Sequence, residues 1–278
     1  MQDERLLVFT GPSPRGWHRI QTFLECPQRY AFEYEGRSGT GAAAKDDSDE
    51  AVPLVRGSLL HLGLAQHYSQ MREYQQGRDP DRFYSPAEAI AILGEAKGGL
   101  WKSEGEEITR CVEAYQQYWA HEDFKVLHVE ELFQGSFHGY LFTGRLDLVV
   151  EDRQGKVWII DHKGTSFLSD KHRQFYSMSG QMHAYRWLAA GTYGDRIAGV
   201  RVNLVQHTKT FKFQRVDTEP APHLFKRFPE IVKYAEQEIA RLQDLNLPVN
   251  EWPMAATELT CFHRYGKCRF AERCKWGA

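Results

Sequence analysis

The chain has 278 residues, 42% of them hydrophobic, enough to bury a sizeable core, and a formal net charge of -2 at pH 7. That balance excludes a binder driven by overall positive charge, and no apolar run approaches the roughly 20 residues of a membrane-spanning helix, so no membrane partner is expected. No export signal is evident, which makes the cytoplasm the default location, and the five cysteines are expected as free thiols or metal ligands, not disulfides.

Residues 17–122 read as mainly helical. In SPRGWHRIQTFLECPQRYAFEYE, Ile20, Phe23, Leu24, Tyr30 and Phe32 fall at helical spacings. A break is expected near Pro27, because proline pushes the residue before it out of the α region. GRSGTGAAAKDDSDEAVP is composed like a mobile loop. From Gly57, GSLLHLGLAQHYSQMREYQQG predicts an amphipathic helix with Leu60, Leu64, His67, Tyr68 and Met71 along one side. Residues 86–122 continue in helical style.

The period then changes. KVLHVEELF, GYLFTGRLDLVVE and KVWIIDHK are short, rich in Val, Ile and Phe and separated by turns, which predicts an antiparallel meander with its third strand stopping at Gly164. SMSGQMHAYRWLAAG is helical again, GVRVNLVQHT and TFKFQRV restore strands, and residues 222–245 form a long helix ending before Pro248. Residues 125–216 are thus the sheet core and 222–278 a helix with a cysteine-rich tail, within one domain over 1–278. The element order predicts an α/β (α+β) fold, a central mixed β-sheet flanked by helices. The tail is basic: its last eighteen residues carry Arg264, Lys267, Arg269, Arg273 and Lys275 against Glu272 alone.

The hairpin between the second and third strands can be placed in register. In DRQGK, Gly155 occupies the position of a three-residue loop that wants a left-handed backbone. This pairs Asp152 with Lys156 and, counting outward, sets Asp147 opposite Asp161. Alternation then puts Arg145, Asp147, Asp161 and Lys163 on one face, with Leu146, Leu148, Ile160 and His162 on the other. Facing carboxylates repel unless a cation stands between them. Lys163 is one candidate, and a cross-strand ion pair with Asp147, with Asp161 merely ending the strand, is the structural alternative. A hard divalent ion such as Mg²⁺ is the other, since it takes oxygen ligands and completes its shell with water and substrate phosphate. Two carboxylates, a divalent ion and a lysine are the elements of phosphodiester hydrolysis.

GRLDLVV followed by VWIIDHKGTS resembles the core of the PD-(D/E)xK nuclease superfamily, in particular its RecB-like branch, which includes CRISPR-adaptation nucleases and phage exonucleases. The resemblance implies a restriction-endonuclease-like core and catalytic roles for Asp147, Asp161 and Lys163. It implies Mg²⁺ or Mn²⁺ held by His61 in RGSLLHLGL together with Asp147, Asp161 and a glutamate of HVEELF, either Glu130 or Glu131, with Glu130 preferred. It also implies active-site roles for Gln181 and Tyr185 in GQMHAY, four residues apart and so on one helical face.

Cys261, Cys268 and Cys274 lie in CFHRYGKCRFAERC, with six and five residues between them, and Cys26 lies far away in FLECPQRY. Four thiolates suit either zinc or an iron-sulfur cluster. The resemblance implies a [4Fe-4S] cluster stapling the termini, held by one cysteine before the nuclease core and three after it. The commonest family spacing places two residues between the first and second of the trio, where this chain has six. Cys111 sits among apolar helix positions as a small buried hydrophobe. In the tail, Lys267, Arg269 and Arg273 are candidates for DNA backbone contact, while Phe262, Tyr265 and Trp276 are expected mainly as packing residues.

The expectation is a metal-dependent deoxyribonuclease, an exonuclease acting on DNA ends or single strands, with DNA as partner. Any helicase or recombination partner would be a separate chain, because no Walker loop is present. The alternative is a non-catalytic nucleic-acid-binding or scaffolding subunit of a DNA repair or recombination complex, against which the complete set of His61, Asp147, Asp161 and Lys163 speaks.

Overall fold

In the computed structural model, residues 4–35, 51–169, 171–208, 210–219, 221–263 and 266–276 are described. Most of the expected mobile loop, and Arg264 and Tyr265 of the tail, lie outside them. The first helical region breaks where proline demands: α1 (Trp17–Glu25) ends at Cys26, which is extended (φ -163°, ψ 107°), and α2 (Pro27–Tyr30) starts on the proline itself. The next helix, α3 (Val52–Gln75), begins five residues before the expected Gly57. Pro53 in its first turn explains the earlier start, since its fixed φ suits a helix entry and no helical N–H is lost there. Helices α4 (Pro86–Lys97) and α5 (Gly99–Tyr118) follow, separated by Gly98 at φ +68°, a left-handed turn for which glycine is the natural residue.

Strands β1 (Phe124–Phe137), β2 (Tyr140–Asp152) and β3 (Val157–Thr165) form the predicted meander. The third strand does not stop at Gly164. It runs to Thr165, because β4 (Ile197–Thr208) lies parallel to it and pairs with Gly164 and Thr165. A parallel neighbour needs a crossover, supplied by α6 (Lys171–Ser177), which was not predicted, and α7 (Gly180–Tyr193), which was. Strand β5 (Thr210–Asp217) pairs antiparallel with β4, completing a mixed five-stranded sheet in the order β1-β2-β3-β4-β5. The chain closes with α8 (Pro222–Asp244), α9 (Glu258–Cys261), the short strands β6 (Phe262–His263) and β7 (Gly266–Lys267), and α10 (Ala271–Trp276). No helix among the described residues is long and apolar enough to cross a membrane.

Alternating sheet residues divide between two cores. Val149, Ile159 and Val202 pack with Ile20, Leu188 and Phe228 from α1, α7 and α8. Leu148, Val150 and Ile160 pack with Leu60, Leu64 and Val112 from α3 and α5. The result is an α+β fold with helices on both faces of a mixed sheet. One expected alternation fails, and it matters for the site. Leu146 packs in the first core, not beside Leu148 in the second, and in β1 Val129 and Phe133 are likewise split. Residues separated by two or four positions in a regular strand share a face, so both strands change face between these points. Glu130 is where β1 does so, with φ +48°.

Candidate metal and active site

The hairpin geometry follows from the turn. Gly155 has φ +73°, its N–H donates to the Asp152 carbonyl at 3.0 Å, and the Asp152 N–H donates to the Lys156 carbonyl at 2.9 Å. The ladder pairs Glu151 with Val157 and continues to Leu148 with Ile160, which makes Asp147 and Asp161 the next facing positions, as counted from the sequence. There the ladder gives way to a side-chain contact: the His162 backbone N–H donates to Asp147 Oδ2 at 2.8 Å.

The bend in β1 and β2 turns Glu130 and Asp147 toward α3, where His61 waits. His61 Nδ1 lies 3.4 Å from Asp147 Oδ2 and 3.8 Å from Glu130 Oε1. One donor atom from each of the three lies within 4.8 Å of the others, and among the described residues no other three His, Cys, Asp or Glu ligand atoms meet this way. Of the two glutamates left open above, Glu130 is the one in the cluster. Glu131 is exposed and engages His128. The donor set, two carboxylates and an imidazole, fits a divalent cation with hard-ligand preference.

Asp161 stands apart from this trio. It is fully buried, and Lys163 Nζ lies 3.1 Å from its Oδ1 and 2.8 Å from its Oδ2, with hydrogen-bond geometry met at Oδ1 alone. Its second oxygen therefore has a charge beside it but no aligned donor, an open acceptor in a buried place. Lys163 also donates to Gln181 Oε1 at 3.1 Å, and Gln181 Nε2 donates to the Tyr185 hydroxyl at 2.8 Å. The four-residue spacing of Gln181 and Tyr185 on α7 thus builds a prop for the lysine. The cross-strand pair weighed for Asp147 and Lys163 does not form; the lysine's carboxylate partner is Asp161.

Electrostatics follow from burial and these neighbours. Burial alone would strip His61 of its proton, but Asp147 and Glu130 outweigh it and hold the imidazole pKa at about 9. Burial opposes the Lys163 charge too, and Asp161 with Asp147 more than restores it, raising its pKa. Lys163 is accordingly an ammonium at neutral pH, a donor and not a base. Burial raises the Asp161 pKa to about 6, Lys163 working against the rise and Asp147 with it. Asp147 is raised as well, burial first, with Glu130 adding to it.

Three supports of the site were not foreseen. Arg145 donates from Nη1 to the Glu130 carbonyl at 2.6 Å and from Nε to the Gly11 carbonyl at 2.9 Å, with the Phe9 ring against its guanidinium. The N-terminal residues 10–13 form one wall of a cleft of about 370 Å³ whose other walls include His61, Glu130, Asp147, Gln181 and Tyr185. Nothing in this stretch of sequence points to a site, since Pro12, Pro14 and Gly16 are residues of ordinary turns. The third support is His162, on the opposite face. It stacks on Tyr68 of α3 with planes 6° apart, its Nδ1 lies 2.9 Å from Asn203 Nδ2, and burial pushes its pKa well down. A neutral imidazole there is packing behind the site, which answers why a third ionisable residue stands between Asp161 and Lys163.

The cysteines converge. Cys26 sits at the junction of α1 and α2, the Cys268 N–H donates to the Cys261 carbonyl at 2.7 Å, and the Cys274 thiol is pushed up by burial and by Cys26, Cys268 and Cys261 around it. No three of the sulfur atoms lie within 4.8 Å of one another, so the arrangement is looser than the tetrahedron of a single zinc ion, whose bonds of about 2.3 Å bring sulfurs to roughly 4 Å. Neither a cluster nor a disulfide is evident at the termini. Protein contacts join them: Phe270 packs on Phe32 at 5.0 Å, Arg273 lies over the Phe32 ring at 4.2 Å, and Arg269 lies 3.3 Å from Glu33. Phe262 and Trp276, expected to pack, are 62% and 70% exposed. Cys111 is fully buried, as its apolar surroundings suggested.

No curated protein matches the chain. Among solved structures, a "Putative exonuclease" from Eubacterium rectale aligns over 93% of this chain and 92% of its own at 11% identity and a TM-score of 0.45. The protein SSO0001 aligns over 81% of this chain and 86% of its own at 14% identity and a TM-score of 0.31. Likenesses this distant carry no argument about function. The family comparison does, at its own level: a model of the PD-(D/E)XK nuclease superfamily matches residues 17–275, its fold is restriction-endonuclease-like, and the chain belongs to that superfamily.

Proposed function

We propose that this protein is a divalent-metal-dependent deoxyribonuclease, an exonuclease working at DNA ends or on single strands. The observation that carries the reading is the meeting of His61, Glu130 and Asp147 within 4.8 Å beside the Lys163, Gln181 and Tyr185 chain. Mg²⁺ or Mn²⁺, held by His61, Glu130 and Asp147 with Asp161 behind them, would supply Lewis-acid polarisation of the phosphate and a more acidic water. The protein's own groups do the rest. Lys163, kept charged by Asp161, donates to the attacking water or to a phosphoryl oxygen as charge develops there. Gln181 fixes the lysine's direction, and Tyr185 fixes Gln181. Asp147 is oriented by the His162 N–H, which donates to the same Oδ2 that faces His61 Nδ1, so the carboxylate is held in the cleft.

Digestion of end-labelled single- and double-stranded DNA with Mg²⁺ or Mn²⁺ tests this, comparing wild type with Lys163→Ala. Metal-dependent release of nucleotides by the wild type alone is expected, and equal release by both proteins would sink the mechanism.

The same proposal extends to the cysteines. Cys26, Cys261, Cys268 and Cys274 offer four soft ligands from both ends of the chain, a set suited to a [4Fe-4S] cluster that ties the termini. Iron and labile-sulfide analysis of anaerobically purified protein is expected to find both. Stoichiometric zinc without iron would replace the cluster with a zinc site.

A further inference from the structure

The segment between β3 and α7 carries a row of rings leading away from Lys163. Thr165 Oγ1 donates to the Phe167 carbonyl at 2.7 Å and accepts from the Phe167 N–H at 3.3 Å, a local turn that fixes where Phe167 stands. Ser169 precedes α6, its carbonyl accepting from the His172 N–H at 3.0 Å and its hydroxyl from the Lys171 N–H at 3.3 Å. Ring centroids follow one another at 5.7 Å from Phe167 to His172, 6.1 Å from His172 to Tyr176 and 5.1 Å from Tyr176 to Phe175. Tyr176 packs on the first core and is within electrostatic reach of the Lys163 ammonium. The outer end lies in solvent, with Phe167 55% and Phe175 61% exposed.

Burying a phenylalanine stabilises a fold by about 1.5–3 kcal/mol, and contiguous apolar surface left outside is a mark of an interaction site. What it would bind is indicated by its setting. Exposed Lys171 and Arg173 flank the rings, Arg173 lying 3.6 Å from Glu219, and the inner ring, Tyr176, is within electrostatic reach of Lys163. Flat π surfaces beside cations, next to a phosphodiester-cleaving group, match nucleobases and their backbone. Paired bases have their faces covered by neighbours, so stacking on such a row requires bases outside a duplex.

We infer that the row of Phe167, His172, Tyr176 and Phe175 is a stacking platform for unpaired bases of the strand being cut. The substrate of the site is then a single strand or the opened end of a duplex. This rests on the nuclease reading and narrows it.

The test is binding of fluorescent dT20, of the same oligomer with abasic residues and of a blunt duplex, with Ca²⁺ replacing the catalytic ion, by full-length wild type and Phe167→Ala/Phe175→Ala. Each lost stack is expected to weaken dT20 roughly 5- to 150-fold, with the abasic oligomer weak on both proteins and the blunt duplex unaffected by the substitutions. Phe167→Tyr/Phe175→Tyr should retain dT20 affinity, which separates loss of rings from loss of fold. Equal dT20 binding by wild type and the alanine pair, or tight binding of the abasic oligomer, would overturn the platform. So would a wild-type dimer that the alanine pair turns into a monomer, since the rings would then belong to a second copy. Wild type that cuts no DNA in Mn²⁺ would overturn the nuclease reading and the platform together, whereas cutting that is indifferent to the rings would overturn the platform alone.

Discussion

Arg145 donates to the Glu130 carbonyl at 2.6 Å, and Glu130 is the non-glycine strand residue, among those described, whose backbone is left-handed at φ +48°. Such a conformation in a non-glycine residue costs of order 1–3 kcal/mol and persists only when neighbours impose it. Arg145 holds the Glu130 carbonyl from one side and, through its second hydrogen bond to the Gly11 carbonyl, ties it to the N-terminal wall. Arg145→Ala should therefore weaken divalent-ion binding more than it weakens the fold. We expect about a tenfold higher metal requirement for cleavage, partly recovered at high Mn²⁺, with Arg145→Lys rescuing poorly because a lysine cannot span both carbonyls in a planar fork. A rate loss that no metal concentration recovers would place Arg145 elsewhere in the reaction.

Glu130→Gly offers a complementary check. Glycine accepts positive φ without a steric cost, so the substitution should leave stability unchanged or raise it by up to about 1 kcal/mol while cleavage falls by at least about tenfold. Thermal unfolding read beside nuclease activity decides the matter. A clear loss of stability would mean that the carboxylate, not the backbone, determines the geometry of this bend.

Much of this site was readable in advance because its logic is local. Gly155 declares its turn, the turn sets the register, and a period of two carries that register to Asp147 and Asp161. The departures all depend on contacts between distant parts of the chain. Leu146 changes face because Glu130 bends the sheet, and nothing in HVEELF announces a left-handed glutamate. Lys163 pairs with Asp161, not Asp147, because Gln181 on α7 draws it that way. Gly164 does not end β3 because β4 comes alongside. Helix α6 is not legible because KHRQFYS shows no apolar face: Phe175 is exposed and Tyr176 alone packs on the first core.

Lys163 and the metal ligands should separate experimentally. Lys163 touches Asp161 and Gln181 but lies outside the His61, Glu130 and Asp147 cluster. Lys163→Met should lower cleavage by about 10²- to 10³-fold, the usual cost of losing a group that meets developing charge, while keeping the rise in melting temperature produced by Mn²⁺. Asp147→Asn should lose both. Gln181→Ala should fall between, about tenfold slower with its metal response intact. A Mn²⁺ response abolished by Lys163→Met would contradict the division of labour.

The metal response should also depend on pH in a defined direction. His61 has a pKa of about 9 in the folded protein against about 6.5 for a free imidazole, so its protonation adds stability in full below about pH 6.5, and that contribution is lost as pH rises through about 9. Asp161, raised to about 6 from about 3.9 in an unfolded chain, also holds its proton more tightly when folded, so stability falls again between about pH 4 and 6. Without metal, both groups make the protein less stable as pH rises. A divalent ion reverses this, because it needs His61 neutral and the carboxylates ionised, and its affinity should climb by up to about tenfold per pH unit below about pH 9. Thermal unfolding with and without Mg²⁺ at about pH 6 and about pH 8.5 measures the effect. The gap in melting temperature should widen with pH in wild type and vanish in Asp147→Asn. A gap of constant size would mean that no proton leaves His61 when the ion binds, and His61 would then have to be removed from the ligand set.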